Sequence, residues 1–199
     1  MKTVNKLILT MLCLTALICA AHAQESHSNK PFKELLAGVN ANFTFPDGFA
    51  EVLPLNNEKT SYQYAMELPG SDFEVRIQVS ETKREWKKYE KAKEPEKVNP
   101  DSLYSKVAAT LVNSMATDGR KFNRAIPAKV LQFYNADIGQ SYFFSLTDSP
   151  VTKHYQYALL VIIQKNHFGS IAVTCFGNDR GPEFFKKINM LKNCLKFNN

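Results

Sequence analysis

Apolar and polar side chains alternate strictly from residue 73 to residue 79, Phe-Glu-Val-Arg-Ile-Gln-Val. A period of two places Phe73, Val75, Ile77 and Val79 on one face and Glu74, Arg76 and Gln78 on the other, which predicts a half-buried strand. Residues 61–68 are aromatic-rich and strand-like, and Pro69-Gly70-Ser71-Asp72 between the two runs supplies a turn, so they form a hairpin. Helical spacing governs other stretches. Phe32, Leu35, Leu36 and Val39 predict a short amphipathic helix over residues 30–39, stopped near Gly38 or Asn40. Asn99-Pro100-Asp101 opens a second helix, with a capping side chain, a preorganised proline and an acid that complements the dipole. Leu103, Val107, Leu111 and Met115, flanked by Tyr104, Ala108 and Val112, give that helix one wide apolar stripe. A last helix opens at Pro182 and carries Phe184, Phe185, Ile188, Leu191 and Leu195 inward.

Shorter signals fill the gaps. Phe43-Thr44-Phe45 reads as a short strand broken by Pro46-Asp47-Gly48, and residues 49–55 continue as an edge segment. The C-terminal half reads as a meander of strands over residues 129–134, 140–147, 155–164 and 170–176, separated by turn residues. Residues 157–163 are almost continuously apolar, which places that strand centrally with both faces covered. The fold class is α+β.

The apolar run at the start has a different meaning. Lys2 and Lys6 precede residues 7–21, which are apolar apart from Thr10 and Thr15. That run is about 15 residues, where a spanning helix needs roughly 20. Ala21-His22-Ala23 closes it with small residues where a signal peptidase reads. Residues 1–23 are therefore expected to be a cleaved signal peptide, leaving an exported chain, periplasmic or secreted, without stable membrane insertion. Acylation at Cys19 is disfavoured by the bulky Ile18 before it. Residues 24–30 are expected as a disordered leader and residues 31–199 as a single domain. Cleavage removes Lys2 and Lys6, leaving 23 basic against 19 acidic residues, a net charge of +4. That excess supports solubility and argues for no nucleic-acid partner.

The order of these elements carries a resemblance. Phe43-Thr44-Phe45-Pro46-Asp47-Gly48-Phe49, the helix over residues 100–115, the long closing strands, and Pro182-Glu183-Phe184-Phe185 through Leu195-Lys196-Phe197 resemble the PsbP-like superfamily. That superfamily includes an extrinsic photosystem subunit, a Ran-binding nuclear factor and many exported bacterial proteins. The likeness spans nearly the whole mature chain as a pattern of elements. It implies an α/β/α sandwich, a mainly antiparallel twisted sheet covered by helices on both faces, in proteins that mostly bind partners. It transfers no functional residue, because fold alone does not carry function.

Candidate chemistry is sparse. Residues 83–97 hold seven basic and four acidic side chains, the chain's single tryptophan, Trp86, and Tyr89. Lys83, Arg84, Trp86, Lys87, Lys88 and Tyr89 are the candidate docking residues, since an aromatic among cations anchors many interfaces. The simpler reading is a solvated helix with Trp86 laid back on the core. Ser141, Ser145, Ser170, His154, His167, Asp137 and Asp148 supply the residue types of a hydrolase, but no Gly-x-Ser-x-Gly elbow exists. His27, His154 and His167 lie far apart and form no metal-ligand pair, and residues 178–181 lack the alternating acids of a calcium loop. Cys175 and Cys194 are expected as free buried thiols, because Cys194 would lie about 18 Å along the last helix.

The expectation is an exported, non-enzymatic binding or accessory protein of the bacterial cell envelope, with no catalytic residue, cofactor or metal. Its partner would be another envelope protein or a glycan. The alternative is a carrier of a small apolar ligand or lipid, its pocket lined by sheet aromatics such as Tyr62, Tyr64, Phe143, Tyr155 and Tyr157. A secreted hydrolase ranks below both.

Overall fold

The strand with the strict alternation, residues 73–81, lies near the middle of a seven-stranded sheet. The computed structural model describes residues 29–53, 62–93 and 97–199, so the expected signal peptide and most of the leader lie outside the described residues. In chain order the elements are α1 (Asn29–Gly38), β1 (Ala41–Phe43), β2 (Ala50–Val52), β3 (Tyr64–Glu67), β4 (Phe73–Glu81) and α2 (Lys83–Lys91). A 3-10 turn at Pro100–Ser102 leads into α3 (Leu103–Met115), followed by β5 (Ala116–Ala125), α4 (Ala128–Phe133) and β6 (Ile138–Leu146). After a second 3-10 turn at Pro150–Thr152 come β7 (Tyr157–Lys165), β8 (Gly169–Gly177), α5 (Pro182–Asn189) and β9 (Leu195–Phe197).

The sheet order is β2-β3-β4-β8-β7-β6-β5, with every neighbouring pair antiparallel. Helical layers cover both faces, as an α/β/α sandwich requires. On one face Phe73, Val75, Ile77 and Ile171 pack with Phe32, Leu36 and Val39 of α1 and Phe184 of α5. On the other, Tyr104, Ala108, Val112 and Met115 of α3 lie over Phe144, Leu160, Ile162, Ala172 and Phe176. Each such large side chain, fully buried, stabilises the fold by about 1.5–3 kcal/mol. The separate ribbon β1–β9 joins the two ends of the described chain, pairing Ala41 with Phe197 and Phe43 with Leu195.

Local rules account for the helix starts. The Asn99 side chain accepts a hydrogen bond from the Asp101 amide at 2.9 Å, so the cap at the entry to α3 forms as its sequence implies. Helix α1 stops where Asn40 takes a left-handed φ of 58°, a conformation asparagine tolerates better than most residues.

Four expectations are corrected. Residues 129–134 form helix α4 and its C-cap, not a strand: Leu131 and Tyr134, three apart, turn together toward the core. Six residues are too few for a period to declare itself. Strand β5 has no counterpart among the expected elements, because its described side chains from Lys121 to Ala125 are all exposed, so burial imposed no alternation. Lys121 and Arg124 on this outermost strand discourage edge-to-edge pairing. The last helix ends at Asn189, leaving Phe185 exposed and Leu195 in β9. Finally, β4 is buried on both faces, Glu74 and Arg76 included.

Candidate binding site

Strand β4 carries Glu74, Arg76, Gln78 and Ser80 onto the α3 face of the sheet. Helix α3 packs over β6, β7 and β8, so beside it Arg76 and Gln78 of β4 line a small cavity, with Glu74 buried next to Arg76. Glu74 and Arg76 are almost wholly buried, at 0% and 4% exposure. Such charges persist in an interior only when paired.

The pairing is specific. Arg76 Nε donates to Glu74 Oε1 at 2.7 Å, and Nη1 donates to the Val151 carbonyl at 2.8 Å. Lys153 Nζ approaches Glu74 Oε2 at 2.5 Å. The guanidinium lies over the Phe176 ring at 4.4 Å and the Tyr62 ring at 5.0 Å, two cation–π contacts. Its remaining nitrogen, Nη2, is buried without a hydrogen-bond partner among the described residues, as is Gln78 Oε1. An orphaned buried polar atom costs about 1–3 kcal/mol.

The turn that completes this network is built for it. Thr152 Oγ1 donates to the Thr147 carbonyl at 2.9 Å, tying down the 3-10 turn that offers the Val151 carbonyl to Arg76. The next two residues, Lys153 and His154, both adopt left-handed φ angles, 49° and 61°. Backbone of this kind in non-glycine residues is sparsely populated and is held in place by its surroundings. Tyr155 follows, packed on Phe176, and burial together with the field of Glu74 pushes its phenol up to about 12. It stays a neutral hydroxyl.

Arg76 and Gln78 line a cavity of about 20 Å³ with Tyr62, Leu111 and Phe176. That volume admits one water-sized group. Gln78 and Leu111 also wall a larger groove of about 310 Å³ that follows α3 past Val107 to Leu103, with Lys106 and Thr110 at its margin. No carboxylate of the described residues lines either space. Chemically this is a groove of mixed apolar and polar lining that shares Gln78 and Leu111 with the small cavity where Arg76 Nη2 is left unpartnered among the described residues.

The residues singled out from the sequence fall elsewhere. Lys83, Arg84, Lys87 and Lys88 are exposed on α2, a helix with no buried residue. Trp86 is only half-exposed: its ring rests 4.2 Å from that of His167 and 5.2 Å from that of Tyr89, and its Nε1 is buried. The aromatic expected as an interface anchor is thus laid against the protein. His154 pairs with Asp148 at the surface, and the His167 amide donates to Asp101. Neither imidazole is hydrogen-bonded to a serine or cysteine side chain among the described residues. No group of three or more His, Cys, Asp or Glu suited to a metal occurs among them either.

Cys175 and Cys194 are both buried and free, in the same core cluster. The reason offered from sequence does not hold, because Cys194 lies beyond α5, just before β9. Burial pushes the Cys194 thiol up to about 12, and Cys175 higher still, helped by the nearby Cys194. The Arg76 cleft went unnoticed in the sequence. Its one signal was the polar half of the 73–79 alternation, which reads identically whether that face meets water or a cleft.

No protein-family model matches the chain, and no curated protein matches it. Among solved structures, the chain is similar to the solution structure of cyanobacterial PsbP (CyanoP) from Synechocystis sp. PCC 6803. The two share 9% identity and a TM-score of 0.40, over 80% of this chain and 88% of that one. Among the described residues no helix is long and apolar enough to cross a membrane.

Proposed function

We propose that the protein is an exported, non-catalytic binding protein of the bacterial cell envelope that carries a small, largely apolar ligand in the groove between α3 and β4. The observation behind this reading is the cleft itself. A groove of about 310 Å³ reaches the lower bound of small-ligand sites, and through Gln78 and Leu111 it adjoins a small cavity where Arg76 Nη2 and Gln78 Oε1 are left without partners among the described residues. Export rests on the signal-like residues 1–23. The test is native mass spectrometry of the mature chain purified from its own envelope fraction. A chain starting at Gln24 with a non-covalent adduct is expected, and the adduct should vanish in Leu111→Trp, which fills the groove. An unliganded wild-type protein under those conditions would count against carriage, and an intact leader against export.

A second reading, docking of an acidic envelope partner or glycan, keeps one observation in its favour. Helix α2 buries no side chain and presents Lys83, Arg84, Lys87 and Lys88 outward. Trp86 and Tyr89, both half-exposed, would border such a surface rather than anchor it. Reversing Lys87 and Lys88 to glutamate should abolish crosslinking to that partner in the native envelope; unchanged crosslinking would remove this reading.

A further inference from the structure

We infer that the ligand of the α3–β4 groove is an anion, a small amphiphile whose carboxylate seats against Arg76 while its apolar tail follows α3. This rests on the carrier reading above and adds the chemical class of what is carried.

The charge balance carries the inference. Among the described residues, one buried carboxylate, Glu74, pairs directly with two cations, Arg76 and Lys153, so this network holds one positive charge in excess. Two further carboxylates act on the neighbouring Tyr155, Glu67 opposite Glu74 across the β3–β4 pair and Asp72, but neither lines the cavity or the groove. Within the guanidinium, Nε and Nη1 are used and Nη2 is not. Its free N–H groups lie in a side chain only 4% exposed, which lines a space large enough for one ligand oxygen. A carboxylate oxygen accepts there as the charge-assisted bond that guanidinium favours. Gln78 adapts to it: rotating the amide exchanges the unpartnered Oε1 for Nε2, so the same side chain donates to the second oxygen.

The tail is set by the helix. From Leu111 to Leu103 the groove runs along two turns of α3, about 12 Å at 1.5 Å per residue. Its walls there are Leu103, Val107 and Leu111 with Thr110 and Ser114, and among the described residues Lys106 is the only charged side chain lining it. A neutral amphiphile would gain the tail contacts and leave Nη2 unanswered. A cationic one would meet like charge at the buried end.

Octanoate, octanol and octylamine share a tail and differ at the head, so they test the claim on the full mature chain. Binding is read by amide chemical-shift titration, which also maps the site. Octanoate should bind at least tenfold tighter than octanol, with shifts centred on Gln78, Val107 and Leu111, and octylamine should not compete. Replacing the ion pair as a unit, Glu74→Met with Arg76→Met, removes both buried charges and keeps the volume filled, so the variant should fold. It should bind octanol and octanoate within threefold of each other. Equal binding of both by the wild-type chain would overturn the anion assignment while leaving the carrier reading standing. Absence of shifts with all three probes would overturn both. Octanoate shifts confined to Phe133, Lys192 and Lys196 would place the binding outside the cleft and sink the inference.

Discussion

Lys153 Nζ lies 2.5 Å from Glu74 Oε2, although 79 residues separate them in the chain. Lys153 reaches it from a left-handed backbone position at the end of a 3-10 turn. Glu74 reaches it from the interior of β4. The contact closes the buried network around Arg76, and the residues in that network differ sharply in what their loss should cost.

Glu74→Gln leaves Arg76 buried beside a neutral amide. Removing one partner of a buried pair typically costs about 3–5 kcal/mol. Lys153→Met leaves the Glu74–Arg76 pair intact, and Lys153 is 31% exposed, so its loss should be about 1 kcal/mol or less. Urea unfolding at neutral pH measures both. A larger loss for Lys153→Met would show that the network is organised around the lysine.

The two thiols make stability fall in alkali. Both are held protonated by burial in the fold, Cys194 up to about 12, whereas an unfolded thiol ionises near 8.5. Raised folded values mean the contribution is complete below about pH 8.5 and is lost as pH climbs toward 12. Tyr155, also held up to about 12, adds to the decline above about pH 10. Unfolding free energies measured from pH 7 to 10.5 should fall, and a Cys175→Ala, Cys194→Ala protein should fall less steeply. Neither thiol should react with a disulfide reagent at pH 8 until denaturant is added.

Gly169 opens β8 at φ 148°, and a Cβ there would lie 2.2 Å from the Ser80 carbonyl oxygen. Backbone of the paired strand cannot yield as a flexible side chain would. Gly169→Ala should therefore cost about 3 kcal/mol, at the upper end of overpacking effects. A melting temperature within 2 °C of wild type, about the shift that 1 kcal/mol produces at the least, would contradict this.

Helix α2 separates packing from charge. Trp86→Ala removes the contact with His167 and should destabilise by about 1–2 kcal/mol, less than the roughly 3–5 of a fully buried aromatic. Lys87→Glu with Lys88→Glu touches only exposed side chains and should leave the melting temperature unchanged. Thermal melts of the two variants distinguish the roles directly.

Legibility in the sequence followed burial contrast. The 73–79 run, the Asn99 cap and the α3 stripe could be read because each sets apolar against polar positions at a fixed period. Strand β5 lacked that contrast, its side chains from Lys121 to Ala125 being exposed on both sides, and α4 was too short to establish a period. The α2 surface was legible as a cluster of cations, but whether Trp86 stood out or lay down depended on His167, 81 positions further on.

The sequence by itself determined the α+β class, the hairpin around Pro69-Gly70, the start of α3 and the apolar face of β4. These follow from neighbours within a few residues, whose side-chain directions are set by backbone geometry. Only tertiary structure decided that Leu195 to Phe197 would pair with β1, that two cysteines would share one core, and that Arg76 would be buried with one nitrogen unanswered. Each of those depends on what a distant segment places against the residue. Burial and electrostatic pairing are properties of the assembled surface, and a one-dimensional pattern records the side chain but not what comes to cover it.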